Sequence, residues 1–115
     1  MSKKFKQYIK SGREALHHLE NYKAVAERAK EIVKTKYRNA KVYVFGSALE
    51  GRYTASSDID ILIVDDSIHG DEAAALKAEI LMAFNLSAPL QIHTATEKEF
   101  KEWYLKFIEK IQEVT

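Results

Sequence analysis

An α/β (α+β) fold is predicted for this chain: a small mixed β-sheet flanked by helices. Three observations predict it. Apolar residues recur at helical spacing through the amino-terminal third, and two short apolar strands bracket a polar loop at the centre. A further helix, strand and helix then follow, separated by turn-forming residues.

The elements follow in order. From Lys3 to about Tyr37 the chain reads as one long helix or two consecutive ones, with Phe5, Tyr8, Ile9, Leu16 and Leu19, then Val25, Ala29, Ile32 and Val33, at helical period. Ser11-Gly12 and Asn21 are the candidate breaks, and Asn21 is placed to cap a second helix. Asn39 ends this region. Lys41 to Phe45 (KVYVF) is a strand with Val42 and Val44 on one face and Tyr43 and Phe45 on the other; apolar on both, it belongs in the middle of a covered sheet. Residues 49–57, with Gly51, Thr54, Ser56 and Ser57, form an irregular loop, and Asp58 to Val64 is the second strand.

Asp65-Asp66-Ser67 through Gly70 is a polar turn. Asp71 then caps a helix reaching about Asn85, with Ala75, Ile80 and Ala83 or Phe84 inward. Pro89 stops it, and Leu90 to Thr94 is a third strand. Thr96 and Glu99 make a capping box ahead of an amphipathic closing helix from Phe100 to about Gln112. Within that helix Trp103 and Tyr104 read as packing residues more readily than as a platform for stacked bases.

Composition narrows the class. The 115 residues are 46% hydrophobic and 30% charged, enough for one core without disulfides, and the chain has no cysteine, as a reducing cytoplasm allows. No apolar run is long enough to span a membrane or to serve as an export signal, so a cytoplasmic, membrane-free protein is expected. The net charge of +1 argues against a general nucleic-acid binder. Charge is nevertheless uneven: Lys3, Lys4, Lys6, Lys10 and Arg13 open a basic amino-terminal half. That half reads as a solvated face or as a docking surface for an acidic partner or RNA.

Chemistry concentrates in residues 42–64, VYVFGSALEGRYTASSDIDILIV. Asp58 and Asp60, two residues apart on a strand, point to one face roughly 6.5 to 7 Å apart along the backbone, so both can converge on a hard cation. Gly46-Ser47 after the first strand lets backbone N–H groups and a hydroxyl approach a phosphate closely.

Gly46, Ser47, Asp58 and Asp60, at this spacing between two strands, resemble the nucleotidyltransferase superfamily that shares its fold with DNA polymerase beta, and within it the minimal nucleotidyltransferase branch. The resemblance implies one domain over residues 1–115, with 1–38 a helical region and 41–115 the catalytic sheet and helices. It implies transfer of a nucleoside monophosphate, AMP from ATP, to a hydroxyl with release of pyrophosphate. Asp58 and Asp60 would be catalytic and would hold Mg2+, two ions in all, while Gly46, Ser47, Arg52 and Ser57 would serve the nucleotide. Some minimal members are antitoxins paired with a HEPN ribonuclease toxin and add AMP to its tyrosine, which implies a HEPN-type partner here; a homo-oligomer is also compatible. Competing readings are a small-molecule nucleotidyltransferase and a nucleotide- or partner-binding module without turnover.

Two positions depart from the family pattern. Where many relatives carry a third acidic residue on a later strand, this chain has Gln91, whose amide ligates a cation weakly and accepts no proton. His93, two residues on and on the same strand face, could serve as the base or be a hydrogen-bonded strand residue. Where relatives place an arginine just before the glycine equivalent to Gly51 stands Glu50, with Arg52 next in line to meet phosphate.

Overall fold

The computed structural model describes residues 2–115. Helices α1 (Lys3–Glu20) and α2 (Tyr22–Lys36) meet at Asn21, so the helical region divides there and runs unbroken through Ser11-Gly12. Asn21 marks the boundary without capping α2: its side-chain amide turns back and donates to the His17 carbonyl at 2.8 Å, closing the end of α1. Strand β1 (Lys41–Phe45), a single turn of helix α3 (Ser47–Glu50) and strand β2 (Ile59–Val64) follow, then helix α4 (Asp71–Ala83) and strand β3 (Leu90–Ala95). Leu49 and Glu50 thus belong to a helical turn, which Gly51 closes in the left-handed conformation at φ +72°.

The four-stranded sheet has the order β3-β2-β1-β4, with β4 (Ile111–Glu113) last. Strand β1 pairs antiparallel with β2 and with β4, whereas β2 and β3 run parallel, so the sheet is mixed as expected. Its register fixes the faces. Val42, Val44, Ile59, Ile61, Ile63 and Ile92 point to one side, where they pack with Leu19 of α1, Val25, Ala29 and Val33 of α2, and Leu76 and Ile80 of α4. Tyr43, Leu62, Val64 and Ala95 point to the other and meet Phe100. Helices therefore cover both faces, which is why β1 and β2 are apolar on both.

The carboxyl-terminal segment departs from the sequence expectation. The expected closing helix becomes a short α5 (Glu97–Glu99), a π-helical turn (Phe100–Tyr104) and a short α6 (Leu105–Phe107), after which Ile108 is extended and β4 begins. The Thr96–Glu99 capping box forms as expected, with Thr96 accepting from the Glu99 N–H and Glu99 from the Thr96 N–H. Beyond it, the free edge of β1 offers ladder hydrogen bonds to the tail, including Val114 N–H to the Val42 carbonyl at 2.8 Å, and burial of Val114 accompanies them. Edge pairing overrides the helical period of residues 100–112. In α4 the inward residues are Ala73, Leu76 and Ile80; Ala75 and Ala83 are exposed and Phe84 is half-buried. Gly70, not Asp71, occupies the cap position of that helix, and no side chain caps it. Among the described residues no helix is long and apolar enough to cross a membrane.

Candidate active site

The chain leaves β1 at Gly46 with φ +83° and ψ −163°, a backbone region open essentially to glycine alone. That conformation lays the Gly46 backbone directly against Asp60. A Cβ at position 46 would overlap Asp60 Oδ2 and stand 3.2 Å from its Cγ, so the glycine is required both for the turn and for the carboxylate beside it. Asp60 itself is held by the hairpin register, opposite Phe45 on β1 and opposite Gln91 on β3. It is half-buried, with a quarter of its side chain (24%) open to solvent.

Sharing the face with Asp60 are Gln91 and His93, as their positions on one strand predict. Gln91 is exposed. His93 places Nε2 3.4 Å from Asp60 Oδ1, within ion-pair range but long for a hydrogen bond. Around the imidazole stand two aromatic rings that sequence reasoning did not group with it: Phe45 at 5.2 Å and Tyr104 at 6.4 Å between ring centres. Burial, and secondarily the Glu99 carboxylate, push the Tyr104 hydroxyl above the ordinary tyrosine range, so it stays protonated at neutral pH. The π-helical turn supplies this wall. By widening the helix it seats Phe100 on Tyr43, with ring centres 4.5 Å apart, and Tyr104 over Phe45 and His93. Trp103 instead is 58% exposed, so only Tyr104 of the pair packs on the sheet.

The remaining candidates lie in α3 and in the loop 51–58 that leads into β2. Ser47 opens α3 immediately after Gly46. Ser57 braces the loop, its Oγ accepting from the Thr54 N–H at 3.0 Å. Asp58 is exposed and lies one residue ahead of β2, two before Asp60. Arg52 is exposed, and its guanidinium is tied to Glu50 at 2.9 Å; the two residues that depart from and replace the expected arginine thus neutralise one another.

The donor set is suited to a hard divalent cation. Asp58, Asp60 and the Gln91 amide offer oxygen only, the class that magnesium selects. The position that a Cβ on residue 46 would take is filled by the Asp60 carboxylate itself, so the glycine is what lets that carboxylate stand against the turn. Among the described residues no cluster of three or more aspartate, glutamate, histidine or cysteine side chains is placed to hold a metal ion, so Asp58 does not join Asp60 and His93 in such a group.

The family model of the nucleotidyltransferase domain matches residues 26–113, taking in β1, the Gly46-Ser47 turn and both aspartates. The chain belongs to that family. A crystal structure of a protein assigned as a nucleotidyltransferase is similar at 33% identity, over 75% of this chain and 92% of that one, with a TM-score of 0.62. A second, from Sulfolobus solfataricus and likewise assigned as a nucleotidyltransferase, has 20% identity over 87% of this chain and 85% of its own, with a TM-score of 0.61, and shows likeness of fold. No curated protein matches the chain. The mixed sheet with helices on both faces is the nucleotidyltransferase fold, here with two helices ahead of the first strand. Family membership carries a nucleoside triphosphate substrate and a divalent metal in general terms.

Proposed function

We propose that this nucleotidyltransferase transfers AMP from ATP to a hydroxyl acceptor with magnesium as its metal, acting as a single minimal domain over residues 1–115 in the cytoplasm. The observation that supports it most is the contact between Gly46 and Asp60: a turn conformation restricted to glycine, set against a carboxylate that a Cβ would displace. A merely structural aspartate at a strand start needs no such neighbour.

Asp58, Asp60 and, weakly, Gln91 are the oxygen ligands for magnesium. When bound, the metal supplies charge neutralisation on the triphosphate and acidifies the acceptor hydroxyl. The chain's own residues do the rest. Gly46 admits the phosphates close to the backbone, Ser47 donates its hydroxyl to a non-bridging phosphate oxygen, and Ser57 keeps the loop that ends in Asp58 in place. Arg52 reaches the phosphates by exchanging Glu50 for them. The acceptor oxygen forms its bond to the α-phosphorus as the bond to the bridging oxygen breaks, and pyrophosphate departs. In this reading His93 Nε2, on the same face and beside Asp60, takes the acceptor proton. For the acceptor we favour a tyrosine of a HEPN-type protein partner, in an antitoxin role.

A second reading rests on two specific residues. Gln91 brings no charge to the third position, and Arg52 is already paired with Glu50; a nucleotide- or partner-binding module that has lost turnover would tolerate both. The test is incubation with magnesium and α-labelled ATP in extract of the source cells, with Asp60→Asn alongside. Label on a protein band, absent with Asp60→Asn, is the expected result. Equal labelling by both proteins would remove the metal-ligand role of Asp60, and ATP binding without any label would favour the binding module.

A further inference from the structure

The first half of α1 projects from the body of the domain. All residues from Ser2 to Tyr8 are exposed, and only Leu19, at the far end of the helix, is fully buried. Eighteen residues give α1 a length of about 27 Å, and the chain measures 51 × 28 × 23 Å along its principal axes. The projecting half is nonetheless built like a packed helix. Phe5, Tyr8 and Ile9 continue the stripe formed by Leu16 and Leu19, on positions that recur every three or four residues. Leu16 and Leu19 are taken up by the core, whereas Phe5 is 51% and Tyr8 66% exposed. A stripe of this kind on a solvated helix end leaves a little over one turn of apolar face, Phe5 and Tyr8 above all, open to solvent.

The charge around that face is of one sign. Lys3, Lys4, Lys6, Lys10 and Arg13 occupy the projecting half and its base, and Glu14 is the first acidic residue reached. Two copies pairing through α1 would set lysines against lysines, which disfavours a second copy of this chain. The apolar trio lies between the charges and not beneath them, so an RNA phosphate backbone would leave Phe5 and Tyr8 unused. A membrane surface would meet only the short Phe5–Ile9 part of the stripe, a small buried area, since Leu16 and Leu19 are already committed to the core. A protein surface with an apolar groove and an acidic rim satisfies both features.

We propose that residues 3–13 of α1 form a docking arm for a protein partner that presents an acidic-rimmed apolar surface. The arm lies outside residues 26–113, the segment that the family model matches, so it is an addition to the nucleotidyltransferase core. At its inner end, a Cβ on Gly12 would lie 4.0 Å from Ala55 Cβ, in the loop that leads into Asp58. The inner end of the arm therefore borders the loop that precedes Asp58.

The test measures fluorescence anisotropy of a labelled synthetic peptide with leucines at helical three-and-four spacing and glutamates elsewhere, against a lysine analogue of the same pattern. Uridine homopolymer and phosphatidylserine vesicles are titrated with the same protein. Wild type should bind the acidic peptide saturably, with affinity falling as salt rises, and Phe5→Ser/Tyr8→Ser should bind it at least tenfold more weakly while keeping its helix content. Equal binding by that variant, equal binding of the lysine analogue, or tighter binding of the RNA or the vesicles would overturn the proposal. The assay contains neither ATP nor magnesium, so a protein without turnover answers it equally well, and failure here leaves the catalytic reading intact.

Discussion

Replacing Gly46 by alanine tests the link between backbone and carboxylate on which the candidate site depends. Two costs follow from the geometry. The first is conformational: φ +83° with ψ −163° is a region that costs a non-glycine residue about 1–3 kcal/mol. For a domain of this size that corresponds to a fall in melting temperature of roughly 4–15 °C. The second is local. To restore ordinary contact with a new Cβ, the Asp60 carboxylate must withdraw by roughly an ångström, and a displacement of that size at a reacting centre costs on the order of a hundredfold in rate. Gly51→Ala is the matched control. Its φ of +72° also imposes strain, about 1–2 kcal/mol, but nothing lies within 4 Å of the added Cβ. Melting curves and transfer of α-labelled AMP are measured on both variants at a temperature where each is folded. The expected result is that both lose stability and only Gly46→Ala loses turnover. If Gly46→Ala keeps activity within about threefold of Gly51→Ala, the contact with Asp60 has no catalytic meaning and the argument fails.

Gln91→Glu places a third carboxylate opposite Asp60 in the parallel register, on strands about 4.8 Å apart; steady-state transfer should rise at least tenfold if a missing ligand or base limits the rate, and a change below twofold would show that it does not. Alkaline pH supplies an independent check on packing. Burial raises the Tyr43 and Tyr104 hydroxyls above their ordinary value, with Glu113 and Glu97 adding to the first and Glu99 to the second. The folded state therefore keeps protons that the unfolded state releases, so stability is intact below about pH 10 and declines as pH rises from there through the folded-state values. Melting temperatures across pH 9 to 11 should fall, and Tyr43→Phe/Tyr104→Phe should flatten the slope. Lys36, raised by its hydrogen bond to Glu79 and the charge of that carboxylate, loses its pair in the same direction, so some slope persists in the variant; an unchanged slope would mean that neither tyrosine titrates late.

The division between sequence and tertiary structure can be traced residue by residue. Strand β1, strand β2 and the glycine between them were legible because each rests on local chemistry: apolar runs at strand period and a turn that demands positive φ; Asp58, read as the first residue of the second strand, lies one residue ahead of it. The capping box at Thr96 and Glu99 was legible for the same reason, its two hydrogen bonds spanning three residues. The face shared by Asp60, Gln91 and His93 followed from strand period alone once the strands were placed.

What lay beyond the sequence involves groups far apart along the chain. Residues 111–113 carry the period of a helix and become a strand because the edge of β1 offers them backbone partners seventy residues away. Phe45 and Tyr104 close around His93 only after the hairpin register and the π-helical turn bring them there. The overlap that a Cβ at Gly46 would make with Asp60 likewise depends on β1 and β2 pairing so that Phe45 faces Asp60. Local sequence determined which residues could do chemistry and which backbone conformations they need, since propensity, turn geometry and side-chain period act within a few residues. Tertiary pairing decided which of them meet, since contacts between distant segments are won by burial and backbone hydrogen bonding that no local window contains.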